Sequence, residues 1–153
     1  MKTNNILKKL CDIEKLNQEQ AYEVFKLSGY DLTKDRVEGY LSDDDSKEFL
    51  DCGYEALGSF LDGLIIHKRG ESNSKKNDTP ISLNNNLILK KLRIAYELKE
   101  VDLYQIFNTV EIDITKGELN SLFRKEDHKN YRACPDSILS LFLDGLAICE
   151  GDI

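Results

Sequence analysis

Phe60-Leu61-Asp62-Gly63-Leu64 and Phe142-Leu143-Asp144-Gly145-Leu146 are the same five residues, 82 positions apart. Sliding the whole chain by that offset brings further identities into a single gapless register. Leu7-Lys8-Lys9-Leu10 falls on Leu89-Lys90-Lys91-Leu92, and Cys52 falls on Cys134. Asp31, Thr33 and Lys34 fall on Asp113, Thr115 and Lys116. Leu16, Tyr22, Phe25, Asp45, Lys47 and Leu57 recur at 98, 104, 107, 127, 129 and 139. Coincidence does not hold one register over so long a stretch, so the chain is a tandem duplication. Repeat 1 covers 1–71 and repeat 2 covers 84–153. The polar run from Gly70 to Pro80, rich in Ser, Asn and Lys, has the composition of a linker and places it at 72–83.

Inside each repeat the apolar spacing is helical. Ile6, Leu7, Leu10 and Ile13 recur at intervals of three and four, as do Ile88, Leu89, Leu92 and Ala95. A second helix carries Ala21, Val24 and Phe25, matched by Leu103, Ile106 and Phe107. Thr33 and Thr115 have the residue type and position of N-caps for a third helix. The last helix sets Leu57, Phe60, Leu61, Leu64 and Ile65 on one face, with Ile138, Leu139, Phe142, Leu143 and Leu146 in the second copy. The only alternating stretch, Glu111 to Thr115, faces Tyr30 to Thr33, which reads as a loop. The expected fold is all-α, two homologous repeats of four to five helices each, related by a pseudo-twofold axis.

The pseudo-twofold expectation comes from size. A helical unit of about seventy residues buries only about 60% of its unfolded surface. Two related units can bury a shared self-complementary patch instead. Phe60, Gly63, Leu64, Phe142, Gly145 and Leu146 are the candidates for that patch. Glycine inside a helix costs about 1 kcal/mol relative to alanine, so Gly63 and Gly145 imply that something packs closely against them.

Composition narrows the class. Of 153 residues, 41% are apolar and 32% charged, with two prolines and nine glycines, a composition suited to a packed helical domain. No apolar run is long enough to span a bilayer, and the charged N-terminal segment does not read as a signal peptide. A cytoplasmic location is expected. Four cysteines at 11, 52, 134 and 149 show no CxxC and no paired histidine spacing. They read as free thiols, with no metal and no cofactor implied. A net charge of −7 opposes indiscriminate binding to phosphate backbones.

Asn84-Asn85-Asn86 followed by Leu89-Lys90-Lys91-Leu92-Arg93-Ile94-Ala95 resembles the start of the second half of bacterial YehS-like proteins, a family of unknown function. Asp127-His128-Lys129-Asn130-Tyr131-Arg132-Ala133-Cys134 and Phe142 to Leu146 are similar to its other signatures. The resemblance covers essentially the whole chain. Copy one departs at Cys52-Gly53, where copy two has Cys134-Pro135. What the resemblance implies is a bacterial cytosolic protein with duplicated helical halves; it implies no reaction, substrate or catalytic residue.

Three constellations deserve a chemical reading. The helix order of each repeat is like that of helix-turn-helix repressors, in which the third helix of copy two would present Lys116, Asn120, Ser121, Arg124 and Lys125 to DNA. Against this, Asn108 to Ile114 is long for the motif's turn, and copy one carries Asp35, Glu38 and Asp43 to Asp45 in the matching region. Asp62 and Asp144 could pair across a pseudo-dyad and share a proton or a divalent cation; the simpler reading points both to solvent. Cys52 and Cys134 stand at helix starts, where a thiol can become acidic, but no histidine recurs between copies to serve as a base. Nucleotide-binding and triad motifs are missing. The expected function is therefore a non-catalytic macromolecule-binding module with a protein partner. The alternative is a helix-turn-helix-like DNA-binding regulator, and third comes an enzyme or metal site at the repeat interface.

Overall fold

The computed structural model describes residues 2–70 and 83–151, and the secondary structure there is helical throughout. Most of the expected linker, residues 72–82, lies outside the described residues. The chain divides into two compact units, Met1–Leu83 and Asn84–Ile153. Unit 1 contains α1 (Thr3–Glu14), α2 (Gln18–Leu27), α3 (Lys34–Leu41) and α4 (Gly53–Arg69). Unit 2 contains α5 (Asn85–Ala95), α6 (Glu100–Thr109), α7 (Lys116–Phe123) and α8 (Asp136–Glu150). Each repeat thus has four helices. The 82-residue offset carries the bounds of α2 and α3 onto those of α6 and α7.

Local chemistry sets those bounds. The Asn17 side chain accepts from the Gln20 backbone N–H at 2.8 Å while Gln20 accepts from the Asn17 N–H at 2.9 Å, a reciprocal cap that starts α2. Thr33 accepts from the Arg36 N–H at 3.3 Å and opens α3. Thr115 and Glu118 form the reciprocal version at α7, with bonds of 3.1 and 3.0 Å. Left-handed residues close the turns at matched positions: Lys15 and Glu97 after the first helices, Gly29 and Glu111 after the second. Glu111 to Thr115, the one alternating stretch, is turn and loop.

The core of each unit lies between its second and fourth helices, α2 with α4 and α6 with α8. Phe25 and Phe60 pack as tilted rings 5.1 Å apart between centroids, and Phe107 and Phe142 do so at 5.4 Å. Phe60, Leu64, Phe142 and Leu146 are completely buried, each contributing about 1.5–3 kcal/mol by leaving water.

The close packing expected at the two glycines is found inside each unit. What packs closely on Gly63 is α2 of its own unit: a Cβ there would run into the Val24 carbonyl oxygen. Gly145 meets the Ile106 carbonyl oxygen of α6 in the same way, with Ile106 Cγ2 at 2.9 Å. Phe60, Gly63 and Leu64, and likewise Phe142, Gly145 and Leu146, face their own unit's core. The glycines let two helices of one small unit approach backbone to backbone, which is how four short helices enclose an apolar centre.

Candidate functional site

A buried asparagine organises one end of each unit. Asn86, on the first turn of α5, donates through Nδ2 to the Leu122 carbonyl at 2.9 Å and the Arg132 carbonyl at 2.8 Å. Its Oδ1 accepts from the Cys134 backbone N–H at 2.9 Å and the Tyr131 hydroxyl at 3.0 Å. Both N–H donors and both oxygen lone pairs of the side-chain amide are thereby used. Asn4 does the same in unit 1, binding the Tyr40 and Leu50 carbonyls and the Cys52 N–H. The long segment joining the third and fourth helices has no repeating pattern of its own; the asparagine fixes it by bonds to its two ends.

In unit 2 that segment forms one side of an open groove of about 510 Å³. Thr115, Gly117, Glu118 and Ser121 line it from α7, and Arg124 and Lys129 to Arg132 line it from the segment. Three cations, Arg124, Lys129 and Arg132, share the groove with a single carboxylate. The backbone and hydroxyl of Thr115 hold the Glu118 carboxyl below its usual range, and Arg132 adds to this, so it is ionised at neutral pH. Tyr131 is fixed by its bond to Asn86, and the Arg132 backbone N–H donates to the Ser121 carbonyl at 3.0 Å. The lining is therefore held by bonds from beneath.

Unit 1 is built differently at two of the three positions that match these cations. Ser42, Lys47 and Leu50 stand where Arg124, Lys129 and Arg132 stand in unit 2. Leu50 lies directly over Gly39, the counterpart of Ser121: a Cβ on Gly39 would be 2.7 Å from Leu50 Cδ1. One copy thus covers this ground with an apolar side chain, and the other opens it and lines it with cations.

The residues expected to touch DNA differ in their exposure. Arg124 and Ser121 line the groove, but Ser121 is buried and its hydroxyl donates to the Glu118 carbonyl at 2.6 Å, so it has no access to a base edge. Lys116 and Lys125 are exposed outside the groove lining, and Asn120 is half-buried. The helix itself has only eight residues. Sequence reasoning missed Lys129, Asn130, Tyr131 and Arg132, which lie on a segment without periodicity. Asp62 is half-buried and Asp144 exposed, each on its own unit. Among the described residues no group of three or more His, Cys, Asp or Glu side chains could hold a metal. Burial pushes the Cys11 and Cys52 thiols up to about 12 and Cys134 to about 11, away from the acidic thiol that reactivity at a helix start requires. No helix among the described residues is long and apolar enough to cross a membrane.

Residues 3–70 and 85–150 each match the family described as "Protein of unknown function (DUF1456)". The chain belongs to this family. The two matched DUF1456 regions fall on the two four-helix units, so one family domain corresponds to one unit. The chain is also 36% identical over 148 residues to "Uncharacterized protein YehS" of Escherichia coli (strain K12), covering 96% of this chain and 95% of that protein. No solved structure matches this chain.

Proposed function

We propose that this DUF1456 protein is a non-catalytic, cytoplasmic module that binds another protein, with unit 2 as the binding half and its cationic groove as the contact. The observation that carries this reading is how the two copies differ before their fourth helices, where Ser42 and Leu50 of unit 1 give way to Arg124 and Arg132 of unit 2. Their cores, the Thr33 and Thr115 caps and the asparagine clamps correspond, while the groove of unit 2 has Arg132 where unit 1 has the Leu50 cover. The groove is polar, held from below and open to solvent, which suits docking rather than chemistry, and the thiols nearest to it are held protonated by burial.

The test is comparative capture. Wild type, the groove variant Arg124→Gln/Lys129→Gln, and a unit 1 control of equal charge change, Lys26→Gln/Lys47→Gln, serve as baits of matched helical content. A stoichiometric partner held by wild type and control and lost by the groove variant is the expected result. Equal retention by all three overturns the assignment of the groove.

The second reading, a DNA-binding regulator, draws on exposed Lys116 and Lys125 near Arg124. It requires a duplex shift that weakens steeply with salt and with Arg124→Ala.

A further inference from the structure

We propose that the unit 2 groove takes a carboxylate of a short acidic protein segment, seated among Arg124, Lys129 and Arg132. This rests on the reading of the groove as the protein-binding contact and adds the chemistry of what enters it.

The first argument is an imbalance of donors. The Asn130 backbone N–H donates to His128 Nδ1 at 3.0 Å, and Arg124 Nη1 lies 3.3 Å from His128 Nε2. A neutral imidazole accepts through one nitrogen only, and a guanidinium has donors alone. With Nδ1 accepting, Nε2 carries the proton and meets Arg124 donor to donor; with the other tautomer the clash moves to Asn130. Either way the imidazole accepts from only one of these two donors and leaves the other to solvent or a ligand, and both Arg124 and Asn130 line the groove. A carboxylate, which accepts through two oxygens and suits the planar fork of arginine, removes the conflict.

The second argument is charge on two scales. Within the groove three cations face one carboxylate, so the local field favours an anion. Around it the balance reverses: residues 84–153 hold 9 basic and 12 acidic side chains, and exposed Glu126 and Asp127 lie on the same segment as the groove's cations. Duplex DNA presents a phosphate charge about every 1.7 Å along its axis, and such a track would run from the cations onto those acids. A short segment whose acidic side chain enters the groove meets only the cations. The volume of about 510 Å³ is in the range that seats a small ligand or a few side chains, roughly 300–1,000 Å³.

Fluorescence polarisation at physiological salt tests this with three labelled probes: a short peptide of alternating glutamate and serine, its glutamine counterpart, and random-sequence duplex DNA. The full chain is used as wild type, as Arg124→Gln/Lys129→Gln, and as the Lys26→Gln/Lys47→Gln control. The glutamate peptide is expected to bind wild type and control at least about tenfold more tightly than the glutamine peptide, and to lose that margin in the groove variant. On adding it, the ring resonances of His128 are expected to shift as Arg124 turns to the ligand, while those of His67 stay. Equal binding of the two peptides, an unmoved His128, or tighter groove-dependent binding of the duplex overturns the carboxylate assignment. Should the capture experiment still show a partner lost with the groove, the binding site stands and only its ligand chemistry fails; retention of the partner by the groove variant removes the site itself.

Discussion

Replacing Asn86 with alanine isolates the contribution of one buried amide. The change removes two donors and an acceptor serving four bonds, at 2.8–3.0 Å, from a side chain that is 4% exposed. Each such bond contributes about 1 kcal/mol net, and a buried group left without a partner costs about 1–3 kcal/mol. The Leu122 and Arg132 carbonyls, the Cys134 N–H and the Tyr131 hydroxyl all lose a partner, so a loss of about 4 kcal/mol is expected after partial rehydration of the hydroxyl. A unit of this size has only about 3–10 kcal/mol of stability, so Asn86→Ala should leave unit 2 largely or wholly unfolded at room temperature. Circular dichroism during urea titration gives the total loss, and hydrogen exchange read by mass spectrometry places it: α5 to α8 lose protection while α1 to α4 keep theirs. Asn86→Asp sharpens the test. A carboxylate still accepts from Cys134 and Tyr131 but turns an oxygen towards two carbonyl oxygens, so the folded state favours the protonated acid. A pKa raised above the unfolded value, about 3.9, means stability present below that pH and lost as pH rises through the folded value. An Asn86→Ala protein within about 1 kcal/mol of wild type, or an Asn86→Asp protein that gains stability with rising pH, would refute the clamp.

Three further perturbations probe other parts of the fold. Gly63→Ala and Gly145→Ala should each destabilise their own unit by roughly 2 kcal/mol, since overpacking against a carbonyl outweighs alanine's helix preference of about 1 kcal/mol; a rise in melting temperature for either would exclude the close approach to Val24 or Ile106. Glu111 sits at φ +62° where unit 1 has Gly29, so Glu111→Gly should stabilise by about 0.5 kcal/mol, a rise of roughly 2–4 °C, and an unchanged or lower melting temperature would show that the turn is not strained. Of the thiols, exposed Cys149 should react first with an aromatic disulfide at mild pH, with Cys11, Cys52 and Cys134 following only as the chain opens. Because burial raises the pKa of those three, their contribution to stability is intact below about pH 9 and declines as pH climbs towards 11–12; urea midpoints that hold steady across pH 9–11 would contradict their burial.

Much of this architecture could be read before any coordinates. The 82-residue register gives the duplication, the three-and-four spacing gives the helices, and Thr33 and Thr115 cap as their position predicts. Gly63 and Gly145 announce a close approach. What periodicity does not carry is the partner: an apolar face says that something covers it, and only the coordinates show that α2 covers Gly63 and α6 covers Gly145. Asn86 was hidden for a different reason. In the run Asn84-Asn85-Asn86 each residue reads as a helix cap, yet Asn84 caps, accepting from the Leu87 N–H at 2.9 Å. Asn86 turns inward to groups 36 to 48 residues away, and only its recurrence at Asn4 under the repeat offset hints at that. The groove was least legible, because its cations come from a segment with no repeating pattern.

The duplication supplies an internal comparison for locating function. Two copies that share one ancestor start with the same residue at every position, so places where both still agree mark what each unit needs in order to fold. Phe60 and Phe142, Gly63 and Gly145, the Thr33 and Thr115 caps and the inward asparagines are all of that kind, and their packing and hydrogen bonds account for them without any ligand. Positions where the copies differ while the backbone arrangement persists are under no such demand. Leu50 and Arg132 make the point directly: both backbone N–H groups donate to the helix before them, at Gly39 and Ser121, with the same length of 3.0 Å, and both carbonyls accept from the buried asparagine. Only the side chain differs. A leucine there covers its unit's surface, whereas an arginine brings a third cation to a groove whose lining has one carboxylate, Glu118, to balance it. Arg124 and Arg132, which unit 1 lacks, join a lysine that both units keep, on a segment held by the shared asparagine clamp, and the proposed anion-binding contact rests on that addition to a common helical unit.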